Sequence, residues 1–266
     1  MATYTHGHHE SVLRSHRWRT AVNSAGYLLP HLDRGLTLLD VGAGPGTITA
    51  DLAELVGSVT ATEISEEVLA LSRQEIAGRG LTNVNFDVQD VHRLGYPDGS
   101  FDVVHAHQVL QHVADPVLAL TELRRVASPG GIVAVRDSDY AGFAWYPRLP
   151  ELDRWLELYR TIARANGGEP DAGRRLLAWA HQAGFTGITA SSSTWCYATP
   201  EDRRWWGELW AERMTTSAIA RQLVAAGLAS TADLDEIARG WLAWAAEPDG
   251  WFSVLHGEIL CRVRDQ

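Results

Sequence analysis

Short apolar runs rich in β-branched residues recur near 36–41, 58–62, 83–88, 101–106 and 131–136, and amphipathic helix-like segments lie between them. That alternation is the pattern of βαβ units and a parallel sheet. Local signals mark the helix ends. Gly57 is expected to close the first helix, Ser65 with Glu66 and Glu67 to open the second, and Asp115-Pro116 to supply an N-cap followed by proline at the first helical position. Beyond residue 142 the texture changes to Trp- and Arg-rich helices, predicted over 151–165, 171–183, 200–213, 216–226 and 231–246. Strands are predicted at 187–198 and, last, at 251–263. Neither an internal repeat nor a low-complexity linker interrupts the chain, so one domain over 1–266 is expected.

Composition narrows the candidates. With 266 residues, 45% of them hydrophobic, the chain can bury a sizeable core. No stretch approaches about 18 uninterrupted apolar residues, and the N-terminus lacks an apolar signal region, so no membrane partner and a cytoplasmic location are expected. Against 23 basic side chains stand 33 acidic ones, a formal charge of −10 that gives a nucleic acid no general electrostatic footing. Cys196 and Cys261 lie far apart outside any CxxC pattern, as unpaired packing thiols would. His6, His8 and His9 cluster, but no carboxylate or cysteine at ligand spacing completes a set, and no metal is expected.

The densest chemistry lies in "LLDVGAGPGTITADLAELVG", residues 38–57. A strand ending at Asp40 runs through Gly42-Ala43-Gly44-Pro45-Gly46 into a helix at Thr47. This puts a tight glycine turn at the carboxyl edge of a parallel sheet, where such proteins bind ligands. The dinucleotide fingerprint would need glycine at 47, and a phosphate-binding P-loop would need a lysine there followed by Ser or Thr; neither is present. In "SVTATEIS", Glu63 ends the next strand, 21 residues after Gly42, placed to accept both hydroxyls of a ribose. Asp90 follows the third strand, where it can take an adenine amino group while Val91 covers the ring. The fourth strand, "FDVV", leads to His107 and Gln108.

As an ordered set, "LLDVGAGPGT", "TATEIS", "FDVQD", "FDVVHAHQVLQHVADP" and "ASPGGIVAV" resemble the motifs of class I S-adenosylmethionine-dependent methyltransferases, closest to the quinone-biosynthesis (UbiE-like) branch. The resemblance covers roughly residues 36 to 137. It implies a Rossmann-like α/β fold: a seven-stranded, mostly parallel sheet with helices on both faces, the last strand antiparallel, and added helical cap elements. Its parts would be N-terminal lid helices over 1–35, a cofactor-binding core over 36–141, substrate-side helices with one strand over 142–250, and the last strand over 251–266. The cofactor implied is S-adenosylmethionine, with S-adenosylhomocysteine as product. Carried over by position, Gly42, Ala43 and Gly44 would approach the methionine part, Glu63 with Ile64 the ribose, Asp90 and Val91 the adenine, and His107 and Gln108 the floor near the sulfonium. Tyr4, in a lead-in segment similar to that of actinobacterial members, is a lid contact by the same comparison.

Methyl transfer from a sulfonium needs an aligned, dried acceptor, relieved of a proton if it carries one. His112, Asp137 and His107 are the titratable groups best placed to act as a base. Asp137 and Asp139 have another use open to them, capping a helix or pairing with Arg136, and His112 is expected one turn into a helix. Seven of the eleven tryptophans fall between 195 and 251. They either glue the cap helices to the sheet or, with Phe143, Trp145 and Tyr146, wall a pocket for an aromatic, prenyl-like or cationic acceptor. The expected function is methyl transfer to a small, specialised molecule by a monomer or homodimer. Quinone C-methylation, cofactor binding without transfer, and an NAD-type oxidoreductase are the alternatives.

Overall fold

The computed structural model describes residues 10–263; Tyr4 and the three N-terminal histidines lie outside the described residues. The first strands and helices follow the apolar runs closely: β1 (Thr37–Val41), α3 (Thr47–Ala53), β2 (Ser58–Glu63), α4 (Glu66–Gly78), β3 (Val84–Val88), β4 (Phe101–His107), α5 (Pro116–Val126) and β5 (Ala127–Ser138). Two short helices, α1 (Glu10–Arg17) and α2 (Ala21–Ser24), precede them. The remainder comprises β6 (Ala144–Tyr146), α6 (Pro150–Ala165), α7 (Leu176–Gln182), β7 (Gly187–Tyr197), α8 (Pro200–Thr216), α9 (Ala218–Ala225), α10 (Thr231–Ala246) and β8 (Trp251–Arg262). Helix starts are set where the sequence marks them. The Ser65 hydroxyl accepts from the Val68 amide, and the Asp115 carboxylate accepts from the Leu118 amide ahead of Pro116.

Eight strands, one more than expected, form a sheet in the order β3-β2-β1-β4-β5-β8-β6, with β7 also paired to β8. β1 to β5 pair in parallel, whereas β8 is antiparallel to β5, β6 and β7 and so alone runs against the others. The additional strand, β6, has three residues, too short to register in a periodicity. Chain order reverses beside β1: β2 and β3 step away on one side, and β4 returns on the other. A crevice therefore opens beyond the carboxyl ends of β1 and β4, the place where open α/β sheets bind ligands.

Apolar clusters fix this arrangement from both faces. Leu38, Val59, Val103, Ile132 and Leu260 pack beneath α2 and α3, while Leu39, Val41, Val104, Val133 and Ile259 pack beneath α5 and α7. A third cluster joins α6, α8, α9 and α10 to the far end of the sheet. In it Trp155, Trp210, Trp241 and Trp244 are fully buried, and Trp155 meets Trp210 and Trp241 edge-on at 4.6 and 4.8 Å.

Two local expectations are corrected. Gly57 does not cap α3, which ends at Ala53; its amide instead donates to the Leu36 carbonyl and leads the chain into β2. His112 lies in a 3-10 turn, Leu110–His112, ahead of α5 rather than on it. Among the described residues, no helix is long and apolar enough to cross a membrane.

Candidate functional site

On one face of the sheet, each central strand changes character along its length. Leu38 gives way to Asp40, Val103 to His105 and His107, Ala134 to Arg136 and Ser138, and, in the reversed β8, Leu260 to Glu258 and His256. Side chains two positions apart share a face, so this alternation lays a buried polar stripe across the carboxyl half of an otherwise apolar surface. Asp40 accepts from His105 Nδ1 at 2.8 Å and from the Thr49 hydroxyl at 2.6 Å. The Arg136 Nε–H donates to Glu258 at 3.1 Å, and Ser191 and Ser193 also donate to Glu258. Burial lowers the Arg136 pKa only to about 10, so the guanidinium stays charged.

Above the stripe lies a cleft of about 520 Å³. Its walls include Gly42, Ala43 and Gly44 after β1, Glu63 and Ile64 after β2, Asp90 and Val91 after β3, and His107 and Gln108 after β4. The loops predicted to share a ligand thus meet at one place. Gly44 has φ +56°, and a Cβ on it would meet only His16, at 3.9 Å, so its missing side chain leaves the cleft open. Gly46, at φ +86°, has a different reason: a Cβ there would stand 2.9 Å from the Ser72 backbone, and its absence lets α4 close against the loop.

Several of these groups already have partners. Glu63 accepts from the Gly44 amide at 2.9 Å and from the Ile64 amide at 3.1 Å. Asp90 accepts from the amide of His92 and from its ring, both near the same oxygen, and the backbone bond leads in holding its pKa below the usual range. Gln108, with φ 55°, donates through its amide nitrogen to Ser138 Oγ at 2.8 Å and to His256 Nε2 at 3.0 Å. His256 donates from Nδ1 to the Val254 carbonyl, which leaves Nε2 as the acceptor.

The three proposed bases differ sharply. Asp137 is fully buried and does not stand among the cleft's walls; its Oδ1 accepts from the Gln111 amide and steadies the 3-10 turn. Burial raises its pKa to about 7. Asp139 accepts two hydrogen bonds from the Arg174 side chain, at 2.6 and 2.7 Å, so neither aspartate pairs with Arg136. His112 does line the cleft. Because Gln111 accepts the Ser138 amide on Oε1, it presents its amino group to His112 Nε2 at 2.9 Å, placing the imidazole proton on Nδ1. Burial brings the His112 pKa down to about 3. His107 is buried in the cleft wall with neither ring nitrogen hydrogen-bonded, and burial followed by the Arg136 charge holds it neutral.

Sequence reasoning missed Asp40–His105, which also lines the cleft, and the N-terminal residues Leu13, His16 and Arg19, which line it too. The N-terminal segment is fastened at several points: Arg14 pairs with Glu212, Arg213 donates to Ser15, Thr47 donates to the His16 carbonyl, and Trp195 donates to the Asn23 carbonyl. Of the aromatic residues proposed as pocket walls, Trp195, Trp206, Trp210 and Phe143 border a small second chamber; Trp145 is buried in the apolar cluster and Tyr146 is exposed.

The methyltransferase domain family matches residues 32–194. An uncharacterized methyltransferase of Schizosaccharomyces pombe is 34% identical over 272 residues, covering 98% of this chain and 97% of that protein. The UbiE ubiquinone/menaquinone C-methyltransferase of Yersinia enterocolitica is more distant, 29% identical over 178 residues that cover 60% of this chain and 70% of that one. In fold, the chain is similar to the YcgJ protein of Bacillus subtilis, with TM-score 0.60, 17% identity, and coverage of 91% of this chain and 98% of that one. The open cradle at Gly44 and the carboxylates at the ends of β2 and β3 fit a nucleoside carrying an amino-acid tail. This chain belongs to the class I S-adenosylmethionine-dependent methyltransferases and is an enzyme that takes S-adenosylmethionine as its cofactor.

Proposed function

We propose that the enzyme methylates a specialised small molecule, aromatic or prenyl-like, approaching from the side of the cleft that adjoins the tryptophan-bordered chamber. The observation that supports this reading is the convergence of four post-strand loops and the N-terminal lid on one cleft of about 520 Å³ at the switch point. When bound, the sulfonium supplies an already activated methyl group. The chain's own residues bind and orient. Glu63 would accept the ribose hydroxyls with Ile64 beside them, and Asp90 the adenine amino group with Val91 against the ring; the Gly42–Gly44 backbone would face the methionine part. Leu13 and His16 would exclude water from above.

No strong base is needed in this reading. The His112 proton sits on Nδ1 and its Nε2 already accepts from Gln111, so the side chain positions rather than abstracts. His107, neutral and without a hydrogen-bond partner, is the group proposed to touch the reacting atoms beside Gln108. Orientation alone can account for effective molarities of about 10⁵ M in well-aligned systems. The long aromatic cap over residues 199–250 lies beyond the stretch that the UbiE-like motifs cover, which favours a specialised acceptor over a quinone.

The test is isothermal titration with S-adenosylhomocysteine followed by labelled-methyl turnover on a panel of phenols, aryl acids, prenylated aromatics and amines. Binding with turnover supports the proposal. Tight binding with silence across the panel would favour a cofactor-binding protein that transfers no methyl.

A further inference from the structure

The loop that follows β3 gives the cleft wall four consecutive residues, Gln89, Asp90, Val91 and His92. Its own side chains and α5 hold it in shape. Gln89 Oε1 accepts from the Gly95 amide at 2.9 Å while Gln89 Nε2 donates to Asp87 at 2.9 Å, and the Arg93 amide donates to the Asp90 carbonyl at 2.9 Å. From α5, Glu122 accepts from the Leu94 amide and Arg125 donates to the Leu94 carbonyl. A recognition group carried on such a frame starts with its backbone in place.

Within this frame the two oxygens of Asp90 differ. Oδ1 accepts from the His92 amide at 2.9 Å and from His92 Nδ1 at 2.8 Å, whereas Oδ2 has no hydrogen bond among the described residues. An ionised carboxylate can only accept, so the ring proton sits on Nδ1. His92 Nε2 is enclosed, and both ends of the Gln89 amide are engaged within the loop. Asp90 Oδ2 is therefore the side-chain acceptor that this loop leaves open. The Asp90 side chain is 51% exposed, and a carboxylate held by one backbone donor alone would keep rotational freedom that a ligand must remove on binding. The second donor, from the His92 ring, removes it beforehand. The same bonds, the backbone one leading, hold the Asp90 carboxyl below its usual range, so the open oxygen belongs to an anion.

We infer that the His92 ring is a positioning residue for recognition of the cofactor's base: by occupying Oδ1 it reserves Oδ2 for a hydrogen donor, and the cleft thereby selects a 6-amino purine over a 6-oxo purine. The inference rests on the reading of Asp90 as partner of the adenine amino group and adds the residue that enforces the choice. A 6-oxo purine sets an acceptor against the carboxylate and carries its polar hydrogen on N1 instead. A carboxylate free to turn could follow that hydrogen; one held by two donors on Oδ1 cannot, and the mismatch then counts against the wrong base.

The full-length protein is titrated calorimetrically with S-adenosylhomocysteine and with S-inosylhomocysteine, which carries the 6-oxo group. The parent should prefer the adenosine form by roughly tenfold or more, the scale of a hydrogen bond to a charged group. His92→Phe keeps a ring and removes the donor, whereas His92→Asn removes the ring and keeps an N–H donor near the place of Nδ1. The Phe variant should bind the adenosine form severalfold more weakly and lose most of the preference, and the Asn variant should keep both within about twofold of the parent. A second readout needs no ligand: followed by carbon nuclear magnetic resonance, the Asp90 carboxyl should titrate closer to 3.8 in the Phe variant than in the parent or the Asn variant. Preference retained by the Phe variant, preference lost equally in both variants, or an Asp90 titration unmoved by Phe overturns the assignment and leaves His92 a packing role. A parent that binds the two forms equally overturns it at an earlier step, by denying Asp90 the amino group, and a parent that binds neither defeats the methyltransferase reading itself.

Discussion

The Gly44 amide donates to the Glu63 carboxylate at 2.9 Å, joining the glycine turn after β1 to the acidic residue at the end of β2. One bond therefore couples the two parts of the proposed cofactor cradle. A ligand hydroxyl approaching Glu63 meets a carboxylate whose orientation is already set by two backbone donors, Gly44 and Ile64. Glu63→Ala should weaken S-adenosylhomocysteine by roughly 1–3 kcal/mol, the range for hydrogen bonds to a charged group and the loss of a group that orients the turn. Calorimetry checks this, and an unchanged affinity would show that the carboxylate does not hold the ribose.

Gly44 itself has φ +56°. Gly44→Ala places a methyl group toward the cleft and asks an L-residue to hold a left-handed conformation at about 1–2 kcal/mol. The variant should melt a few degrees lower and lose most of its cofactor affinity. A variant that binds as the parent does would mean that the ligand keeps its distance from this turn.

Histidine nuclear magnetic resonance provides a check on the base assignments. His112 is brought down to about 3 and His107 is held neutral, in both cases chiefly by burial. Their ring signals should therefore stay constant between pH 5 and 8, the interval in which an exposed imidazole titrates. An inflection near neutrality in either would restore it as a general base.

Asp137 carries a pH signature of stability rather than of activity. Its carboxyl starts from 3.8 and rises to about 7 on burial, so between those values the native state holds a proton that the unfolded state has released. Native stability then falls as pH increases through that window and levels off above it. Asp137→Asn keeps an oxygen for the Gln111 amide and removes the ionisation. Denaturant titrations should show the variant gaining on the parent from pH 4 to pH 7. A difference independent of pH would contradict the buried protonated acid.

Trp155 is inaccessible and lies edge-on to Trp210 and Trp241, at the centre of the cap. Trp155→Ala should cost about 3–5 kcal/mol, as large-to-small changes in an aromatic core do. Chemical denaturation measures it. A loss under 1 kcal/mol would mean that the cap repacks without this ring.

Local chemistry made much of the protein legible in its sequence. The apolar runs marked the five strands β1 to β5 because a parallel strand covered by helices tends to be apolar on both faces, and Ser65 and Asp115 marked helix starts because their side chains satisfy amides three residues on. The glycine turn was equally readable, since Gly44 and Gly46 answer to backbone constraints that no other residue meets as easily. What tertiary structure alone decided depends on partners remote in sequence. Asp137 reads as a base until burial removes it from the cleft, His112 until Gln111, itself held by the Ser138 amide, fixes its tautomer, and β6 is too short to show a period. The Trp195 indole reaches Asn23 across 172 positions, and Arg213 reaches Ser15 across 198, to bring the aromatic cap against the N-terminal helices. Periodicity and capping act over a few residues, so sequence determined the sheet and its ligand edge; burial and charge act through space, and only the folded chain could assign each titratable group its part.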